Sequence, residues 1–211
     1  MESKFDWKYL KSNITFGTIA ETFLHIVDFH FFQTSIQLAS QPGVFIREYL
    51  KGKRNSQDPV SFYLSSLLFL FILYYLYEFL SPDVIEETTN DESSEYTQYW
   101  MTLPFIFTIS GMNYLMFRKT KLNLVSNLVI ATFIESQSVI YLTFFIISVD
   151  FFQVLNEPMT QALIYVLIIF GNIFAINFRT FQFSFFSTLW KSLLVILVAF
   201  IVIIVIAGIF F

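Results

Sequence analysis

The chain has 211 residues, of which 56% are hydrophobic and 13% charged, with 29 Phe, 11 Tyr and a mean hydropathy of +0.65. Soluble domains are about a quarter charged, so too few polar side chains exist to cover a water-soluble globule. The absence of Cys excludes disulfides, thiolate zinc sites and cysteine nucleophiles, and a net charge of −4 argues against nucleic acid as a partner.

Residues 1–58 are too hydrophobic for a free tail and too interrupted to span a membrane. They read as a cytoplasmic-side interfacial segment. From Gly17 to Asp28, Ala20, Phe23, Leu24 and Val27 fall on one helical face, and Glu21, Thr22, His25 and Asp28 on the other. Such an amphipathic helix should lie in the membrane interface with its apolar face down. Glu21, His25 and Asp28 share a face at metal-ligand spacing. One His and two carboxylates on an exposed helix read better as an ion-paired stripe, so no metal or cofactor is expected. Phe29, Phe31, Phe32, Ile36 and Leu38 continue the apolar load, and Gln41-Pro42-Gly43 breaks the helix. A second short helix, Val44 to Leu50, leads into the basic residues Arg47, Lys51, Lys53 and Arg54. This run fixes topology, and attracts anionic lipid headgroups at roughly 1 kcal/mol per basic side chain. Docking to a protein partner or to a ligand is the alternative use. The first 13 residues are largely polar and no cleavage pattern follows, so the first span is expected to act as its own insertion signal.

Residues 59–211 form a transmembrane domain of five helices, at about 59–80, 98–117, 122–149, 159–178 and 190–211. Each window approaches the roughly 20 residues needed to cross the hydrocarbon core. None alternates as a barrel strand must. Seven of the 12 Lys and Arg precede the first span, three (Arg118, Lys119, Lys121) lie between spans two and three, and two (Arg179, Lys191) between spans four and five. The opposite loops have none and carry Asp83, Glu86, Glu87, Asp91, Glu92, Glu95, Asp150 and Glu157. The positive-inside rule then places the N-terminus in the cytoplasm and the C-terminus outside. The loop from Arg179 to Lys191, with Phe181, Phe183, Phe185, Phe186 and Trp190, is too apolar to float and is expected in the interface.

Glu135 is the one charge well inside a span. Counted from Leu122, it lies roughly 20 Å along its helix, near mid-bilayer. An ionisable group there costs a few kcal/mol and should face protein or water. Asn127, Ala131, Glu135 and Ser138 share a stripe that is expected to face the bundle. Asn172 on the fourth span, and Thr108, Ser110, Gly111 and Asn113 on the second, are possible partners. Gly171 and Ala175 form a small-xxx-small pair that permits close helix approach. Pro104 hints at a break in the second span.

The stretch Gln41-Pro42-Gly43, then Ile46-Arg47-Glu48-Tyr49-Leu50-Lys51-Gly52-Lys53-Arg54, then Pro59 and Phe62-Tyr63-Leu64 entering a span, resembles an uncharacterised family of multi-spanning membrane proteins common in Bacteroidota. The resemblance implies a bacterial inner-membrane location, with the C-terminus periplasmic. Longer members carry a cysteine zinc ribbon at the N-terminus, which a chain without Cys lacks. Members often carry histidines in the third-span region, where this chain has Asn127, Ala131-Thr132-Phe133 and Glu135-Ser136-Gln137-Ser138. The family brings no activity with it.

No Gly-rich phosphate loop, His-Glu-x-x-His or Gly-x-Ser-x-Gly occurs, and an enzyme is not expected. The chain reads as an all-α integral membrane protein, a scaffold or accessory subunit of a larger membrane complex. Its expected partners are other membrane subunits and lipids, including anionic ones. The alternative is a small proton- or cation-coupled carrier or channel, with Glu135 as the coupling group and Asn127, Ser138 and Asn172 beside it.

Overall fold

The computed structural model describes residues 29–53, 56–80, 92–152 and 158–210. The expected helix with Glu21, His25 and Asp28 lies outside the described residues, as do Arg54 and most of the acidic loops. Everything described is helix, turn or short connection, with no strand among the described residues.

Two short helices, α1 (Phe29–Ser40) and α2 (Pro42–Leu50), precede five long ones. These are α3 (Pro59–Leu80), α4 (Glu92–Met116), α5 (Leu124–Phe152), α6 (Pro158–Phe181) and α7 (Phe185–Phe210). A single 3-10 turn, Arg118–Thr120, joins α4 to α5. Gln41 separates α1 from α2, with Pro42 in the first turn of α2 where its missing N–H costs nothing. α2 ends in a Schellman motif: Gly52 has φ +89°, its N–H donates to the Tyr49 carbonyl, and the Lys53 N–H donates to the Glu48 carbonyl. α3 starts sharply because Asp58 Oδ1 accepts the N–H groups of Val60 (3.1 Å) and Ser61 (3.0 Å), with Pro59 as the first helical residue. Those bonds, led by the one from the Ser61 side chain, hold the Asp58 carboxyl below the usual carboxylate range.

Two connections differ from the sequence reading. α4 runs unbroken through Pro104; the Thr108 hydroxyl donates back to the Pro104 carbonyl at 2.7 Å within the same helix. The expected interfacial loop before the last helix shrinks to residues 182–184, because α7 already begins at Phe185. Gln182 takes the left-handed conformation that ends α6, and the Ser184 carbonyl accepts the Thr188 N–H at 3.0 Å in the first turn of α7. Phe181 is correspondingly buried, stacked on Phe117 at 4.2 Å, while Phe185, Phe186 and Trp190 remain exposed.

Helix α5 is the central element, packed by α3, α4, α6 and α1, with α7 bridging α4 and α6. Among the described residues, three helices are long and apolar enough to cross a membrane: Leu124–Ser148, Met159–Phe181 and Phe185–Gly208. Their surroundings differ sharply. Protein buries 67% of the apolar window of α5, against 17% for α6 and 22% for α7. The last two therefore turn Leu163, Val166 and Leu167, and Leu193, Leu197, Ile201 and Ile204, outward. Gly171 and Ala175 are also exposed, and a Cβ at Gly171 would meet open space. The small pair thus does not mediate helix approach within the chain.

The described part of the N-terminal segment packs one face against the bundle. Phe31, Thr34, Leu38, Phe45 and Ile46 are buried. An apolar face next to an apolar bundle can be covered by protein as readily as by lipid, and here α1 and α2 fold back onto α3, α5 and α6.

Candidate functional site

Two features concentrate polar or specific contacts: the docked segment and the middle of α5. The docked segment is organised around Phe133 of α5. Phe45 and Tyr49 of α2 meet its ring edge-on at 5.2 Å each, and Phe62 of α3 approaches at 6.0 Å. Phe31 of α1 joins the cluster through Phe62 (5.5 Å) and Phe69 (5.6 Å). Aromatic pairs at these separations contribute about 0.5–1.5 kcal/mol each beyond buried area.

The other side of α2 presses on the end of α6. A Cβ at Gly43 would lie 2.1 Å from the Arg179 carbonyl oxygen and 2.4 Å from its carbon. Only glycine permits this backbone-to-backbone approach. One turn on, Arg47 Nη1 donates to the same carbonyl at 2.6 Å. Arg179 lies in the last turn of α6, where carbonyls lack intrahelical partners and a cation also favours the helix dipole. Of the other basic residues, Lys53 pairs with Glu48 at 3.1 Å on the exposed surface, and Lys51 is exposed. Such a surface pair contributes little.

In the middle of α5, every residue from Ile130 to Ile140 is buried, so the helix is enclosed on all faces. Glu135 (7% exposed), Ser136, Gln137 and Ser138 sit in this stretch. Ser136 and Ser138 donate to carbonyls four residues back in their own helix. Asn172 of α6 donates to the Ile134 carbonyl and to Ser138 Oγ, both at 2.8 Å. Ser138 and Asn172 are therefore brought together. Asn127 does not join them: its amide donates to the Asn123 carbonyl at 2.9 Å, and its Oδ1 is buried without a partner. Gln137 Oε1 is likewise buried without one. No hydrogen bond joins Glu135 to Asn127, Ser138 or Asn172. Glu135 lies within electrostatic reach of Tyr63 of α3, whose hydroxyl shares a hydrogen bond with Thr102 of α4.

A third polar group joins residues that the sequence reading did not link. Asn113 of α4 and Asn177 of α6 exchange amide hydrogen bonds at 3.3 and 3.2 Å, and Asn177 also donates to Ser192 of α7 at 3.4 Å. All three are buried. Asn113 stood among the candidate partners on the second span and Asn177 was visible as an amide inside an apolar run, which requires a partner, but nothing in the sequence joined the two to each other or to Ser192. Among the described residues no group of three His, Cys, Asp or Glu is placed to hold a metal ion.

Residues 28–71 match a family described as "Protein of unknown function (DUF3667)". The match covers α1, α2 and the first half of α3, the part that docks on α5 and α6. No curated protein and no solved structure matches the chain.

Proposed function

We propose that this chain is a non-enzymatic, five-span membrane protein that serves as a scaffold or accessory subunit in a larger membrane assembly. One observation carries the reading. Several distinctive residues of the family-matched stretch hold α2 against the bundle or set the ends of the helices beside it. Pro42 starts α2, Gly43 and Arg47 meet α6, Tyr49 meets Phe133, Gly52 ends α2, and Pro59 starts α3. A stretch whose marked residues encode docking specifies a shape, not a reaction. The docked pair then presents Phe32, Ile36 and Val44 outward as a formed apolar surface.

Besides the three long apolar helices, α3 is apolar from Pro59 to Tyr74 and α4 packs lengthwise on α5 and α7; this supports five spans. Arg118, Lys119, Lys121, Arg179, Lys191 and Arg47 gather at one end through the contacts of Phe117, Phe181 and Arg179. By the positive-inside rule that end is cytoplasmic. The Pro-Gly and Arg-Glu-Tyr-Leu-Lys-Gly-Lys-Arg motif fits a Bacteroidota inner-membrane protein. The test is co-purification in mild detergent from native membranes. A partner at fixed stoichiometry supports the reading, and its loss in Gly43→Ala ties it to the docked segment.

A second reading, a proton- or cation-coupled carrier, draws on the enclosed carboxyl of Glu135 and the unpartnered Asn127 and Gln137 oxygens near it in sequence. Proton-coupled uptake in liposomes that Glu135→Gln abolishes would favour it.

A further inference from the structure

The basic groups at the gathered end are not equally occupied. Arg47 is bound to a carbonyl and Lys53 to Glu48. Across the bundle, Phe117 lies against Phe181 at 4.2 Å and Phe183 at 5.7 Å, which brings the Arg118–Thr120 turn beside the first turns of α7. Lys191 Nζ sits over the Phe183 ring at 4.0 Å and the Phe117 ring at 5.0 Å. This fixes the ammonium in place but leaves its charge uncompensated. Lys119 lies within electrostatic reach of it, and Arg118, Lys119 and Lys121 are exposed. Among the described residues no carboxylate pairs with any of these four; the one ion pair there is between Lys53 and Glu48.

The same place carries exposed aromatics: Phe185 (50%), Phe186 (80%) and Trp190 (63%), all on the first turns of α7. Trp settles at headgroup level, and Phe beside it covers the apolar side of that boundary. A held cation, its like-charged neighbours and an aromatic rim at that depth are complementary to one ligand chemistry. We propose that the Arg118–Lys121 turn and Lys191, flanked by Phe186 and Trp190, bind the phosphodiester headgroup of an anionic phospholipid. This rests on reading the helices as membrane spans. Extraction of the chain from membranes at alkaline pH would defeat that reading separately.

The experiment titrates the purified full chain, in neutral detergent, with phosphatidylglycerol or phosphatidylcholine, and reads bound lipid by native mass spectrometry. Phosphatidylglycerol should be retained preferentially. Lys119→Gln should weaken it by about fivefold, and Lys119→Gln with Lys191→Gln by about 25-fold, from roughly one surface charge's attraction each. Lys51→Gln, outside this site, should change it by less than about twofold, because the diffuse attraction of its basic run needs an anionic membrane surface, which neutral detergent lacks. Lys119 is exposed, so its variant tests the site even if the Lys191 variant fails to fold. Equal retention of the two lipids, or equal effects of the Lys119 and Lys51 variants, would overturn the proposal. Full displacement by inorganic phosphate at matched ionic strength would also overturn it, in favour of a soluble anion site.

Discussion

Gly43→Ala is the sharpest perturbation of the docked segment, because propensity and sterics oppose each other there. Alanine favours helix over glycine by about 1 kcal/mol, so an isolated α2 would gain. In the fold, the new Cβ would lie 2.1 Å from the Arg179 carbonyl oxygen, 2.4 Å from its carbon and 2.8 Å from its Cβ. Two of those atoms are backbone and cannot rotate away. Relief requires α2 to withdraw by roughly 1 Å, the gap to ordinary carbon–oxygen contact. The Arg47–Arg179 bond, 2.6 Å long, then passes the limit of a hydrogen bond. Its loss costs about 1.5–3 kcal/mol for a charged donor, and strain of this kind costs about 1–3 kcal/mol. The net local loss is about 1.5–5 kcal/mol after the propensity gain. Hydrogen exchange of the purified chain in detergent reads this directly. Amides of residues 45–50 should exchange roughly tenfold faster or more in Gly43→Ala, with α5 amides unchanged. Unchanged protection of α2 would refute the claim that this close approach holds the segment.

Further outcomes follow from the same geometry. Arg47→Gln should weaken α2 protection less than Gly43→Ala, by about 1–2 kcal/mol, since an amide can still donate to the Arg179 carbonyl; hydrogen exchange checks the order. Asn177→Leu should lower thermal stability in detergent by about 1–2 kcal/mol, because Asn113 loses its partner; an unchanged melting temperature would count against the buried amide network. Asp58→Ala should cost about 1 kcal/mol by removing the cap of α3. Since the folded carboxyl is held below its unfolded value, this contribution is complete above the ordinary carboxylate range and is lost as pH falls through it and below. The wild type should therefore lose stability over that window relative to Asp58→Ala. Glu135→Gln should retain wild-type stability and function if the carboxyl is structural, and should fold normally but lose transport if it must titrate.

Much of the architecture was legible because apolar run length sets helix length in a membrane. The five long helices begin and end near the windows read from residues 59–211. Which helix sits at the centre was less legible. Lipid-facing and protein-facing positions are both apolar, so Gly171 and Ala175 looked like an internal contact although they face outward. The polar residues of α5 marked the enclosed helix: Asn127, Glu135 and Ser138 are all buried, but so is every other residue from Ile130 to Ile140, so their shared stripe does not single out a face. Asn172 was named as a possible partner for Glu135 and meets Ser138 instead, while the Asn127 amide turns back to its own helix. The docking of α2 on α6 joins residues 132 positions apart. Periodicity within a window carries no information about such a contact, so Arg47 read as a free charge when it is an internal hydrogen-bond donor.

The central claim is that the chain functions as a fixed part of a larger membrane assembly, through a shape set by the docked segment. Stoichiometric co-purification from native membranes, compared across wild type, Glu135→Gln and Gly43→Ala, tests it most directly. The account predicts a membrane partner at constant ratio in wild type and Glu135→Gln, and its loss in Gly43→Ala. Recovery of the chain alone, in the same monodisperse form for all three, would contradict it.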